Sequence, residues 1–278
     1  MFPLPPATTA ALSLESVLDQ LSQHPAVDGL VTVGSTGRDS LTPASDYDLL
    51  VVLAEMPVPL QVGVTYIDHR LTDLLFGTTA HIDNILAAAE PLDGETWEGR
   101  IARWLATGQV VFDRRGDLGR ARSKVAGTAW IRPLEDIDAY GAWIGVNYNL
   151  LHTRRLMASA DPVYLQAAEL RMSLYGVLNV LAGYFRIRRL RWEGDKAAVR
   201  YLMAADPGYL ALVQEFVRES DPRRKFAAYE RAAAATLAPI GDIWQGEPTV
   251  LWADFSPPAW DTIEQGLEFW NRLLGNQA

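Results

Sequence analysis

Val31-Thr32-Val33-Gly34-Ser35, then ten residues, then Asp46-Tyr47-Asp48-Leu49-Leu50-Val51-Val52 is the stretch on which the reading of this chain turns. The β-branched residues before Gly34 predict a short buried strand ending at Val33. Gly34 and Ser35 then turn the chain. Glycine lets the backbone approach a phosphate closely, and amides at a helix start point at an anion. The Ser35 hydroxyl adds one more donor. The chain returns past Pro43 to a second strand that opens with Asp-x-Asp and runs into an apolar segment. Residues two apart on a strand share a face, so Asp46 and Asp48 present paired carboxylates near the Gly-Ser turn. Two hard anionic ligands beside a phosphate-sized hollow describe a magnesium site, in which the metal bridges triphosphate oxygens. The plainer alternative is an ordinary turn followed by aspartates that cap a loop.

Outward from this stretch, the first third of the chain mixes strands and helices. Residues 11–23 space Leu12, Leu14, Val17, Leu18 and Leu21 as one helical face, and Pro25 and Gly29 punctuate the chain before GLVTVG. Val62–Ile67 and Leu71–Phe76 read as two strands joined by the polar turn Asp68-His69-Arg70. Helices are expected over 80–89 and 95–107, and a further short strand over 108–113.

After about residue 130 the strand signals nearly vanish. Segments 133–158, 162–187, 194–205, 207–219, 222–239 and 258–273 carry helical periodicity. Three of them open on Asp161-Pro162, Asp206-Pro207 and Asp221-Pro222. An aspartate at the N-cap followed by proline at the first helical position is a start signal, because proline lacks only an N–H that has no partner there anyway. Thr249–Trp252 is left between short strand and buried loop. The fold class expected is α+β: a small mixed β-sheet with helices over residues 1–130, then an all-α bundle over 131–278.

Composition narrows the partners. A net charge of −9 repels the phosphate backbone on average, which disfavours nucleic acid. The absence of cysteine excludes disulfides, thiolate metal sites and cysteine nucleophiles, and fits a cytoplasmic setting. The opening residues have neither the basic region nor the apolar core of a signal peptide. The most apolar stretch, Val163–Phe185, is interrupted by Glu169 and Arg171, so no membrane span is expected.

The Gly-Ser to Asp-x-Asp pattern resembles the nucleotidyltransferase fold of the DNA polymerase beta superfamily, over residues 28–76. With its helical second half the chain looks most like the minimal-domain antibiotic adenylyltransferases that act on aminoglycosides or lincosamides. The resemblance implies Mg²⁺-dependent transfer of a nucleoside monophosphate, AMP from ATP, to an acceptor hydroxyl of a small molecule. It also implies a third carboxylate on a neighbouring strand, acting as general base or further metal ligand. Asp73 fits that role because a charge inside an apolar strand is costly without a partner. Asp68 is the runner-up, although aspartate is ordinary in a hairpin turn.

Arg38 reads equally as a triphosphate contact and as a solvated loop charge. Arg186, Arg188, Arg189, Arg191 and Lys196 form the densest basic cluster in an acidic chain, and positive charge near a helix C-terminus has a purely structural use. In related adenylyltransferases a lysine of the helical domain reaches the nucleotide phosphates, and Lys196 resembles it in position. Asn147 and Asn149 are candidates for a cleft, against the expectation that polar helix residues face water. The histidines His24, His69, His81 and His152 lack zinc spacing. Two other readings compete: a nucleotide-binding protein without catalysis, of toxin–antitoxin type, and a nucleotidyltransferase that modifies protein or RNA.

Overall fold

The computed structural model describes residues 11–34, 36, 41–126, 130–253 and 258–274. The chain divides into two compact units, Met1–Arg132 and Pro133–Ala278.

The first unit is built on a five-stranded sheet of β1 (Val27–Val33), β2 (Tyr47–Leu53), β3 (Val62–Ile67), β4 (Arg70–Thr78) and β5 (Gln109–Asp113), in the order β3-β4-β2-β1-β5. β2 and β4 pair in parallel, and the other neighbours are antiparallel. Every residue of β1, an interior strand between β2 and β5, is buried, in keeping with its mostly apolar sequence. β3 and β4 form a two-residue hairpin in which Asp68 and His69 have φ of 53° and 56°. Two successive left-handed residues match the right-handed twist of the strands they join, and aspartate and histidine tolerate that region better than most.

Helices cover both sides of the sheet. Val31, Val33, Leu50, Val52 and Leu75 pack with residues of α2 (Thr79–Ala87), α3 (Trp97–Thr107) and α4 (Asp117–Val125). On the other side Leu30, Leu49 and Val51 pack with Leu18 and Leu21 of α1 (Leu14–Gln23). The alternation along β2 and β4 therefore assigns each side chain to a face. α4 is absent from the sequence expectations. Its apolar contribution is only Leu118, Ala121 and Val125 among charged residues, a short pattern that gains meaning when the sheet buries it.

The second unit is helical: α5 (Asp136–Met157), α6 (Pro162–Arg171), α7 (Val177–Ile187), α8 (Asp195–Ala205), α9 (Pro207–Arg218), α10 (Pro222–Leu237) and α11 (Trp260–Leu273). Asp161, Asp206 and Asp221 each accept a backbone N–H of the first turn, at 2.9 Å in all three cases. Such caps contribute about 1 kcal/mol each. A π-helical turn over Met172–Gly176 separates α6 from α7, where periodicity alone reads one continuous helix. The core joins Val146 and Leu150 of α5 to Val180 and Tyr184 of α7, Phe216 of α9 and Tyr229 of α10. Thr249–Trp252 forms neither helix nor strand. Among the described residues no helix is long and apolar enough to cross a membrane.

Candidate functional site

Asp48 and Asp73 are direct partners in the parallel register of β2 and β4. Leu50 pairs with Leu75 and Val52 with Gly77 in the same ladder, and these residues face α2, α3 and α4. Asp48 and Asp73 therefore continue that face toward the end of the sheet where β1 runs out at Val33. Both are half-buried. Asp46 lies one residue before β2, so the strand opens between the two aspartates rather than at the first.

Gly34 is the residue after β1, with φ of 59°. A β-carbon built on it would stand 2.6 Å from Asp48 Oδ2. Backbone conformation and the neighbouring carboxylate thus both exclude a side chain, which is the physical content of the glycine in the sequence pattern. Ser35 and Arg38 lie outside the described residues.

Thr36 is a residue that sequence reasoning missed. It is buried, and its hydroxyl lies 3.5 Å from the Asp46 carbonyl, to which it donates, and 3.3 Å from the Asp48 N–H, from which it accepts. One side chain from the turn therefore fastens both ends of Asp-x-Asp. Arg70 holds the preceding loop, donating to the carbonyls of Thr42 (2.7 Å) and Ser45. Its guanidinium also sits 5.2 Å from the centre of the Tyr47 ring. A small cavity of about 340 Å³ borders Asp46, Asp68 and Arg70. Neither Thr36 nor Arg70 has a local signal, since both act on partners ten or more positions away.

Asp68 has a structural occupation. Its carboxylate accepts the Leu14 N–H at the start of α1 (3.0 Å) and the Tyr47 hydroxyl (3.4 Å). Asp28, a buried carboxylate of β1, is paired with Arg115 at 3.1 Å. The edge strand β3 extends the Asp73 face with Val62, Val64 and Tyr66, all more than half exposed.

A divalent cation suits the chemistry of Asp46, Asp48 and Asp73, which offer only hard oxygen donors. The missing β-carbon at Gly34 leaves the Asp48 carboxylate its room. Among the described residues no group of three or more Asp, Glu or His side chains is gathered closely enough to hold a metal ion. Backbone register aligns Asp48 with Asp73, Asp46 precedes the strand, and the three carboxylates are not drawn onto one point.

Residues 14–74 match the nucleotidyltransferase domain family. The N-terminal unit contains a nucleotidyltransferase domain. Its matched segment includes the Gly34 turn, Asp-x-Asp and Asp73 in one run, in keeping with the DNA polymerase beta superfamily. The chain is also similar to the solved structure of a nucleotidyltransferase-like protein from Exiguobacterium sibiricum 255-15, with 13% identity, 81% of this chain and 73% of that one covered, and a TM-score of 0.43, a likeness too loose to bear on the site. No curated protein matches the chain.

In the second unit Lys196 is in the first turn of α8, after Gly194 with φ of 93°. Much of the neighbouring basic cluster is structural. Arg188 donates to the Ala235 and Thr236 carbonyls near the end of α10, each at 3.2 Å, and packs over Tyr184. Arg189 donates to the Ile187 carbonyl and pairs with Asp136. Asn147 and Asn149 do not face water. Both are buried, because Asn147 accepts the Trp244 N–H at 2.8 Å and Asn149 accepts from Arg171 at 2.8 Å.

Proposed function

We propose that the chain is a magnesium-dependent nucleotidyltransferase that moves AMP from ATP to a hydroxyl of a small-molecule acceptor. The observation that carries this reading is the pairing of Asp48 with Asp73 on one face of the sheet, beside a left-handed glycine that leaves space for the Asp48 carboxylate. Asp46 and Asp48 would hold Mg²⁺, with Asp73 at the edge of the same set. When bound, the ion neutralises charge on the triphosphate.

The chain's own groups supply the rest. The Gly34 amide and the Ser35 hydroxyl donate to the β and γ phosphates, and Arg38 adds positive charge there. Asp73 takes the proton of the acceptor hydroxyl as its oxygen bonds to the α-phosphorus. The bond from that phosphorus to the bridging oxygen breaks, and pyrophosphate leaves. Val62, Val64 and Tyr66 give the acceptor an apolar shelf beside Asp73.

The test pairs ATP, GTP, CTP and UTP, each labelled at the α-phosphate, with panels of aminoglycosides, lincosamides and lysate proteins. Label from ATP on a small molecule, with wild type and not with Asp48→Asn, is expected. No transfer in any pairing, together with nucleotide binding that ignores both Mg²⁺ and Asp48→Asn in calorimetry, would favour a binding protein without catalysis.

A further inference from the structure

The helical unit holds a groove that the transferase chemistry does not use. Its volume is about 920 Å³, within the range of small-molecule sites, and it lies among the first half of α5, the segment 240–250 and the first half of α11. Its floor is aromatic. Tyr140 is stacked on Trp143, with centroids 6.1 Å apart and planes at 10°, and meets Trp260 at 5.1 Å. The Trp143 indole donates to the Asp242 carbonyl at 3.1 Å, and Trp244, also in the lining, donates to Pro248 at 2.9 Å. Each indole has one donor, so these two offer a guest ring faces and edges rather than a hydrogen bond.

The charges of the lining select among guests. Three carboxylates and one guanidinium border the groove, and that guanidinium, Arg189, is paired with Asp136. The remaining two, Glu247 and Glu264, are exposed and have no ion-pair partner among the described residues. An anion would meet uncompensated negative charge. A neutral apolar molecule would gain nothing from the two carboxylates. A cation with an apolar body gains from both, since aromatic ring faces and carboxylates each attract positive charge.

We propose that this groove binds a small organic cation with an apolar body, seated on Tyr140, Trp143 and Trp260 and neutralised by Glu247 and Glu264. The site belongs wholly to the second unit, and the proposal is independent of the transferase reading.

Phenethylammonium, phenylethanol and phenylacetate share a body and differ in the charge of the head, so they separate charge recognition from apolar burial. Tryptophan fluorescence reports binding, because Trp143, Trp244 and Trp260 all line the groove. Titrated into the full chain at low salt, phenethylammonium should bind about tenfold more tightly than phenylethanol, the order expected of one cation–π contact reinforced by carboxylates. Phenylacetate should bind weakest, and the advantage of the cation should shrink at high salt. The double variant Glu247→Gln, Glu264→Gln should lose the salt-dependent part of the discrimination and keep only the part due to the ring faces, with its thermal unfolding unchanged. Trp260→Leu should weaken binding of all three compounds. The same affinities in Asp48→Asn would separate this site from the nucleotide chemistry. Equal binding of cation and alcohol, tightest binding by phenylacetate, or no binding by phenethylammonium overturns the proposal.

Discussion

The Asp48 carboxylate stands only 2.6 Å from where a β-carbon on Gly34 would go, too close for contact, while Gly34 itself holds φ of 59°. Gly34→Ala therefore carries two costs. The left-handed backbone costs an alanine about 1–2 kcal/mol, which urea denaturation would measure. The new methyl also pushes aside the far end of Asp48, the group assigned to the metal. Misplacement on the scale of an ångström costs about 10²-fold in rate, so kcat should fall much further than the stability loss implies. A variant that is destabilised yet fully active would remove Asp48 from the chemistry.

Asp73 and Asp68 are five residues apart, and their surroundings assign them opposite roles. Asp73 shares a face with Asp48, whereas Asp68 is occupied by the Leu14 amide. Asp73→Asn should lower kcat by about 10²–10⁴-fold, the usual worth of a general base, with nucleotide affinity nearly kept. Asp68→Asn should leave kcat within a few-fold. Asp68→Ala should destabilise the fold by about 0.5–2 kcal/mol through the lost helix-end contact. Kinetics and chemical denaturation on the three variants decide the assignment. The reverse pattern would make Asp68 the third carboxylate.

Thr36, two residues after Gly34, is fastened to the backbone of both aspartates of Asp-x-Asp through one hydroxyl. Thr36→Val keeps the shape of the side chain and removes the hydroxyl, leaving the Asp48 amide without that acceptor. A stability loss of about 1–3 kcal/mol is expected for a buried donor stripped of its partner. Because the two carboxylates would also lose their spacing, kcat should drop while the acceptor KM holds, and Thr36→Ser should restore most of both. A loss of stability with kcat intact would confine Thr36 to the fold.

What could be read from the sequence was local. Each Asp-Pro start reports a cap closed within two or three residues, and all three caps are present. The two-residue period of a strand picked out Asp48 on β2, while Asp46, expected on the same strand, lies one residue before it. The pairing of Asp48 with Asp73 is a different kind of fact, since it depends on β4 lying parallel to β2 after a hairpin has intervened. No pattern in the two segments states that register. Asn147 and Asn149 misled for a related reason. Their side-chain oxygens are satisfied by Trp244, 97 positions away, and by Arg171, 22 positions away, so burial costs them little. The π turn at Met172–Gly176 has no signal in the helical periodicity either, and it ends on a glycine whose β-carbon would come within 3.0 Å of Phe216.

His152 makes the stability of the helical unit depend on pH. Burial holds its pKa below the ordinary 6.5, and the positive charges of Arg171 and Arg155 push in the same direction. The ring rests against Tyr148 at 4.4 Å, and Arg171 is fixed nearby by its bond to Asn149. In the unfolded chain the histidine regains its ordinary pKa, so between that value and the lower folded one the unfolded state binds more protons. Stability should therefore be full above about pH 6.5, fall as the pH drops below it, and stop falling from this source once the folded histidine is also protonated. His152→Gln removes the titrating group while keeping a polar side chain of comparable length. Urea unfolding of wild type and variant across that range should show their difference shrinking from its neutral-pH value as acid is added. If the two curves stay parallel through pH 6.5, the proton is not excluded at His152, and the pH dependence of the unit lies with its carboxylates.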